Sequence, residues 1–265
     1  MPVPRVLSIA GSDSGGGAGI QADLKAFAAC RVHGMTAITA ITAQNTVAVT
    51  GVHAVPGEMI VAQVRALVHD IGVDAVKIGM LGTEETIEAV AEALKLLDPG
   101  VPVVLDPVMV AESGAELLQG SARRSLVTHL FPRATVVTPN LPEAEAIVAS
   151  AGGAAGLAPE ELARSIHSLG PDLVVLTGGH RSEAVDLLFD GRTCTEIPGA
   201  RHPDGAAHGS GCTHSSLLAA RLAWGDDPLS AARTAKRMAA QAIADGLREI
   251  GHGAGPVNVL AQELR

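Results

Sequence analysis

Val6-Leu7-Ser8-Ile9-Ala10 runs directly into Gly11-Ser12-Asp13-Ser14-Gly15-Gly16-Gly17-Ala18-Gly19, and Ile20-Gln21-Ala22-Asp23-Leu24-Lys25 follows. The first five residues are a short apolar, partly β-branched run. The next nine are rich in glycine, and a helical pattern covers Ile20 to Cys30. A second strand pattern spans Thr36 to Thr42, so the whole stretch reads as strand, loop, helix, strand.

The same alternation continues through the chain. Further strands are expected at Ala75 to Ile78, Val103 to Leu105, Thr135 to Val137 and Leu173 to Leu176. Helices are expected at Met59 to Asp70, Glu84 to Leu97, Ala122 to His129, Pro142 to Ala149 and Pro159 to Ser168. Such an order predicts an α/β fold with a mainly parallel sheet. After Gly178-Gly179-His180 the pattern changes: Ala184 to Phe189 and Thr193 to Ile197 flank Asp190-Gly191, a hairpin dipeptide. Antiparallel strands are therefore expected to finish one edge. Cys212 to Trp224 and Pro228 to Leu247 read as two helices broken at Gly225-Asp226-Asp227-Pro228. The small-residue stretch Ala151 to Ala158 reads as a surface loop, because neither side of it looks complete alone, and one domain over 1–265 is expected.

Composition narrows the function. Hydrophobic residues make up 47% of the chain and charged residues 18%, enough to cover both faces of a sheet. Aromatic residues are only 2%, with no Tyr and one Trp, so the stacking platforms of single-strand nucleic-acid binders are missing. A net charge of −9 also argues against a nucleic-acid partner. There is no apolar run of membrane-spanning length and no room for a signal-peptide core ahead of the first strand, so no membrane partner is expected. Cys30, Cys194 and Cys212 lack framework spacing and suit free thiols in a reducing compartment, and a cytoplasmic location is the expectation.

The candidate site residues fall at the ends of strands. Five glycines in the nine residues from Gly11 favour a ligand loop over a flexible turn, although neither the dinucleotide nor the P-loop pattern fits. Asp23 stands on the first helical turn, where it either reaches a ligand or solubilises the helix. Gln44 follows the second strand, where it either presents an amide to a small heterocycle or satisfies a turn. Asp106 ends one strand, and Glu143 belongs to Thr138-Pro139-Asn140-Leu141-Pro142-Glu143 after another. Two carboxylates at that edge suit Mg²⁺, though Glu143 also suits a helix first turn with no ligand at all. Gly209-Ser210-Gly211-Cys212 precedes a long helical pattern and forms a candidate anion hole. The helix dipole there is expected to favour the Cys212 thiolate, the alternative being a small packed cysteine. His202, His208, Cys212 and His214 match no standard zinc spacing.

Taken in order, Ile9 to Lys25, Thr42-Ala43-Gln44-Asn45-Thr46, Lys77-Ile78-Gly79-Met80-Leu81, Leu105-Asp106-Pro107-Val108-Met109, Thr138 to Ala144 and His208-Gly209-Ser210-Gly211-Cys212-Thr213 resemble the hydroxymethylpyrimidine (phosphomethylpyrimidine) kinases of thiamine synthesis. The resemblance spans nearly the whole chain. It implies a ribokinase-like three-layer α/β/α sandwich, ATP with Mg²⁺, and two successive phosphorylations of a small pyrimidine. It further implies that Gly11, Asp23, Gln44, Met80 and Val108 line the pyrimidine pocket. Asp106 and Glu143 would hold the metal, with Asn140, Thr177 and Gly179 on the nucleotide side. Gly209, Ser210 and Gly211 would form the anion hole, and Cys212 would stand where sugar kinases of the superfamily carry a catalytic Asp. A homodimer is implied as well. Three positions depart from the family pattern: Thr177 replaces a frequent Lys, Ala207 a frequent Thr, and Ser210 a Thr whose hydroxyl it keeps. Two competing readings are a pyridoxal or pyridoxine kinase of the same superfamily and a non-catalytic pyrimidine-binding protein.

Overall fold

The computed structural model describes residues 2–111, 114, 117–120, 122–178 and 184–264. Strands β1 (Arg5–Asp13), β2 (His33–Gln44), β3 (Val49–Ala54), β4 (Ala75–Ile78), β5 (Val103–Leu105), β6 (Val136–Val137), β7 (Leu173–Leu176), β8 (Asp186–Phe189) and β9 (Cys194–Ile197) form one sheet. Its order is β3-β2-β1-β4-β5-β6-β7-β8-β9. Six adjacent strands, β2, β1, β4, β5, β6 and β7, run parallel to one another. The expected hairpin β8/β9 closes one edge in antiparallel fashion. A second antiparallel strand, β3, closes the other edge against β2 and was not expected from the sequence. β3 reads Val49-Thr50-Gly51-Val52-His53-Ala54, an exposed strand interrupted by glycine, so no buried face imposes a clear alternation.

Helices cover both faces. α2 (Gly57–Asp70), α3 (Glu84–Ala93), α4 (Ala122–His129), α5 (Leu141–Ser150) and α6 (Pro159–His167) pack on one side. α1 (Gly19–Ala29), α7 (Ser210–Ala223) and α8 (Pro228–Ala244) pack on the other. The strands divide their side chains accordingly. Leu7, Ile9, Val76, Ile78, Val103 and Leu105 join the first core, and Val6, Ala75 and Val104 the second, as the two-residue period of a strand dictates. Alanines at 231, 232, 235, 239 and 242 of α8 are buried, letting that helix approach closely. The 3₁₀ turn Leu94–Leu96 takes over from α3, shortening the expected helix. Residues 151–158 form an exposed connection between α5 and α6.

Because β1, β4, β5, β6 and β7 are parallel, the residues following each of them gather at a single edge, where doubly wound sheets hold ligands. No helix among the described residues is long and apolar enough to cross a membrane.

Candidate active site

A cavity of about 490 Å³ opens at that edge. Gly11, Gln44, Met80, Asp106, Val108, Asn140, Glu143, Thr177 and the run Gly209 to Cys212 all line it. The expected positions thus converge, with two exceptions. Gly179 lies outside the described residues. Asp23 does not line the cavity but is fully buried beneath it. Its Oδ1 accepts from Lys77 Nζ at 2.9 Å and Ser216 Oγ at 2.7 Å, and its Oδ2 from Ser8 Oγ at 2.6 Å. A carboxylate with three donors, one of them a buried cation, is satisfied without a ligand.

The apolar half of the cavity rests on Gly11. A Cβ there would come within 2.4 Å of Met80 Cε, so the thioether packs directly on the backbone of β1. Val108, Val110 and Leu117 continue this surface. At its rim Gln44 is fixed by its backbone, which exchanges hydrogen bonds with the Ser14 hydroxyl, and by Thr42 Oγ1 donating to Gln44 Oε1 at 3.1 Å.

The acidic half is built on strand ends. Asp106 follows β5 and its Oδ2 accepts from Ser215 Oγ at 3.0 Å. Burial raises its pKa, partly offset by attraction from Lys77 and the Ser215 hydrogen bond. Glu143 forms a capping box with Asn140 at the start of α5: the Asn140 amide donates to Glu143 Oε2, and the Glu143 amide to Asn140 Oδ1, each at 2.9 Å. Burial, then the charge of Asp106, pushes Glu143 up to about 8, against hydrogen bonds from the Asn140 and Met109 amides. The helix-cap reading of Glu143 thus holds, and the same residue also lines the cavity. The buried Thr138 Oγ1 lines the same cavity with no hydrogen-bond partner among the described residues. Two mutually repelling carboxyls and an unpartnered hydroxyl are hard oxygen donors, a set that fits Mg²⁺.

α7 supplies the third wall. Its N-cap, Gly209, has φ 79°, and a Cβ there would fall 1.8 Å from Gly17 O. The Ser210 amide is taken by Ala207 O at 3.0 Å, while the first helical acceptor, Gly209 O, serves Thr213. Among the described residues the amides of Gly211 and Cys212 are thus the pair left without a helical acceptor, within the expected segment Gly209 to Cys212. Asp106 Oδ2 lies 3.9 Å from the Cβ position of Gly211, placing the acid beside those amides.

Cys212 corrects an expectation. Its thiol is pushed up to about 12, burial being the main cause and Asp106 and Asp23 adding to it, against Lys77 and a hydrogen bond from the Gly19 amide. Desolvation and nearby acids outweigh the helix dipole, so the resting residue is a thiol and not a thiolate. The imidazoles do not form a zinc site either. His208 pairs with Asp13 and His214 approaches Asp186 at 3.3 Å, and no metal-binding cluster of such residues occurs among the described residues.

Three site groups were missed in the sequence: Asp13, Asp186 and Lys236 all line the cavity. Lys236 Nζ donates to Asp186 Oδ1 at 2.6 Å, and the Gly178 amide donates to the same oxygen at 2.8 Å. Only Asp13 carried a local signal, an Asp two residues ahead of glycine, which suits an Asx turn.

A family model described as phosphomethylpyrimidine kinase matches residues 13–258. The chain belongs to the phosphomethylpyrimidine kinase family. It is 49% identical over 258 residues, 95% of each chain, to a hydroxymethylpyrimidine/phosphomethylpyrimidine kinase of Rhizobium meliloti. Among solved structures it is similar to an ADP complex of Bacillus subtilis pyridoxal kinase, with a TM-score of 0.88 and 38% identity over 100% of both chains. It is also similar to a phosphomethylpyrimidine kinase of Clostridium difficile, with a TM-score of 0.76 and 40% identity, covering 88% of this chain and 96% of that one. These phosphomethylpyrimidine kinase relatives and their ribokinase-like neighbours place the chain among ATP-using kinases and agree with the α/β/α layering described above.

Proposed function

We propose that this kinase acts in thiamine synthesis, transferring the γ-phosphoryl group of ATP to 4-amino-5-hydroxymethyl-2-methylpyrimidine and then to the resulting monophosphate. The observation that carries this reading is the meeting of two mutually repelling acids, Asp106 and Glu143, with the free amides of Gly211 and Cys212 in one cavity. A binder with no chemistry has no use for that combination.

In this reading the ring lies on Met80 and Val108 with Gln44 at its polar edge, and the hydroxymethyl group points to Cys212. The amides of Gly211 and Cys212, with the Ser210 hydroxyl, hold the phosphoryl oxygens as charge shifts during transfer. Asp106 and Glu143, with Thr138 in the same cavity, would hold Mg²⁺, which would supply neutralisation of the phosphate charge. Asn140 and Thr177 border the nucleotide. The first transfer forms an oxygen–phosphorus bond at the acceptor as the bond to ADP breaks, and the hydroxyl proton leaves. The second acceptor is a phosphomonoester, already ionised, and needs no such proton loss. Because Cys212 rests as a thiol, it orients the hydroxyl and relays its proton late, giving its own S–H proton to an oxygen of the transferred phosphoryl group as it takes the hydroxyl proton, which suits a loose transition state.

Pyridoxal is a second acceptor worth naming, because the similar structures include pyridoxal kinases. A homodimer is supported by the apolar Ile41, Val47 and Val52, exposed along the β2–β3 edge. Cys30, Cys194 and Cys212, none of them in a disulfide among the described residues, suit a cytoplasmic setting. ADP release with Mg-ATP and the hydroxymethylpyrimidine tests the proposal; turnover independent of the acceptor contradicts it.

A further inference from the structure

Asp13 and His208 are 195 residues apart in sequence and touch inside the cavity wall, with His208 Nε2 3.2 Å from Asp13 Oδ2. Both side chains are almost wholly buried, at 9% and 2% exposure. Asp13 is already the organiser of the glycine loop. Its Oδ1 accepts from the Gly15 amide at 2.8 Å, and its Oδ2 from the Gly17 amide at 3.0 Å and the Ala18 amide at 2.8 Å. An oxygen that takes two amides and an imidazole is an ionised carboxylate, so His208 Nε2 is the donor. His208 precedes Gly209, the left-handed N-cap of α7, and its backbone pairs with the C-terminal segment through Gly255 O and the Val257 amide.

Contact between the two loops is independently tight. A Cβ on Gly17 would meet His208 Cδ2 at 2.2 Å, and one on Gly209 would meet Gly17 O at 1.8 Å. Only glycine permits the two backbones to approach this closely. The glycine loop borders the acceptor half of the cavity, and Gly211 and Cys212 border the transfer half.

We infer that His208 is a positioning residue, a bolt to Asp13 that sets the distance between the acceptor loop and the amides that receive the phosphoryl group. Its effect on rate follows from geometry: an error of about 1 Å between reacting groups costs on the order of a hundredfold. The bolt itself is a property of the fold, whereas its effect on turnover rests on the kinase reading above.

His208→Leu removes the donor while keeping an apolar body of similar size, and His208→Gln keeps an amide N–H able to reach Asp13. In the full-length protein without ligands, the Leu variant is expected to speed hydrogen exchange at least tenfold in both 13–19 and 209–213, with the Gln variant near wild type. In steady-state kinetics the Leu variant is expected to lose kcat by at least thirtyfold with KM for ATP and acceptor within threefold, and Gln to remain within fivefold. Should Leu prove unable to fold, His208→Asn, whose amide is too short to reach Asp13, takes its place against Gln. Unchanged exchange in both segments overturns the bolt, as does equal loss in the long and short or apolar variants. A wild-type protein that phosphorylates neither pyrimidine nor pyridoxal overturns the kinase reading instead, and the exchange measurement still decides the bolt.

Discussion

Lys77 Nζ lies 2.9 Å from Asp23 Oδ1, and neither side chain has any exposure to solvent. The pair sits on the face of β4 that meets α1 and α7, where the neighbouring position Ala75 is apolar. A Cβ on Gly79 would come 2.7 Å from that ammonium, so the Lys77 stem runs up the strand toward the cavity floor. Burial alone would lower the pKa of Lys77, but Asp23, Cys212 and Asp106 raise it, and the cation is permanent. Removing one partner strands a buried charge. Lys77→Met is expected to cost about 3–5 kcal/mol in urea denaturation, and Lys77→Met combined with Asp23→Leu to recover at least half. Wild-type stability in the single variant contradicts this account of the pair.

Gly209 joins the start of α7 to the glycine loop through its left-handed backbone. Gly209→Ala meets both the strain of φ 79° and the Gly17 carbonyl, and a loss of about a hundredfold in kcat is expected. Gly225, with φ 86° and nothing within 4 Å of its Cβ position, is the control. Gly225→Ala carries only the backbone cost, about 1–2 kcal/mol in melting experiments, with kcat unchanged. Equal kinetic loss in both variants contradicts the packing argument.

Glu143 makes the folded protein pH-sensitive. Its pKa rises from an ordinary 4.5 to about 8, so between those values the folded state binds more protons than the unfolded one. Stability is therefore highest below the unfolded value and falls as pH climbs through about 8. Melting temperature is expected to decline over that window in wild type and to decline less in Glu143→Gln. Added Mg²⁺ is expected to flatten the wild-type curve and leave the Gln variant nearly unaffected. A wild-type slope of the opposite sign contradicts the assignment.

In the proposed mechanism Cys212 distinguishes the two phosphorylations. Since a hydroxyl must lose a proton and a phosphomonoester need not, Cys212→Ala is expected to slow the first half-reaction at least tenfold more than the second. Each is measured separately with purified acceptor. With its thiol at about 12, wild-type Cys212 is also expected to resist iodoacetamide at neutral pH. Equal loss in both half-reactions contradicts the proton argument.

The sequence carried the parallel layers because they repeat. Val103–Leu105 and Leu173–Leu176 fall where their apolar runs end, since strands buried on both faces leave short apolar runs, and Ala75–Ile78 follows the same pattern with Lys77 as its one polar interruption. β3 escaped because an exposed edge strand has no buried face to impose a period. The convergence of Gly11, Gln44, Asp106 and Glu143 followed from strand ends meeting at one edge. Asp23 shows the limit of such reasoning. From the sequence it is a polar residue on an exposed helical turn, and only its distant partners Lys77 and Ser216 reveal that it is spoken for. Asp186 and Lys236 were hidden for the same reason, being 50 residues apart on a strand and a helix that each read as ordinary. The Cys212 thiol went the other way from expectation because a helix dipole is visible in sequence, whereas the buried acids around it are not.

Steady-state kinetics of the full-length protein with Mg-ATP, comparing hydroxymethylpyrimidine, its monophosphate and pyridoxal as acceptors, tests the central claim most directly. Both pyrimidines are expected to be phosphorylated, with kcat/KM for hydroxymethylpyrimidine above that for pyridoxal. A dominant rate with pyridoxal, or no turnover of the monophosphate, contradicts it.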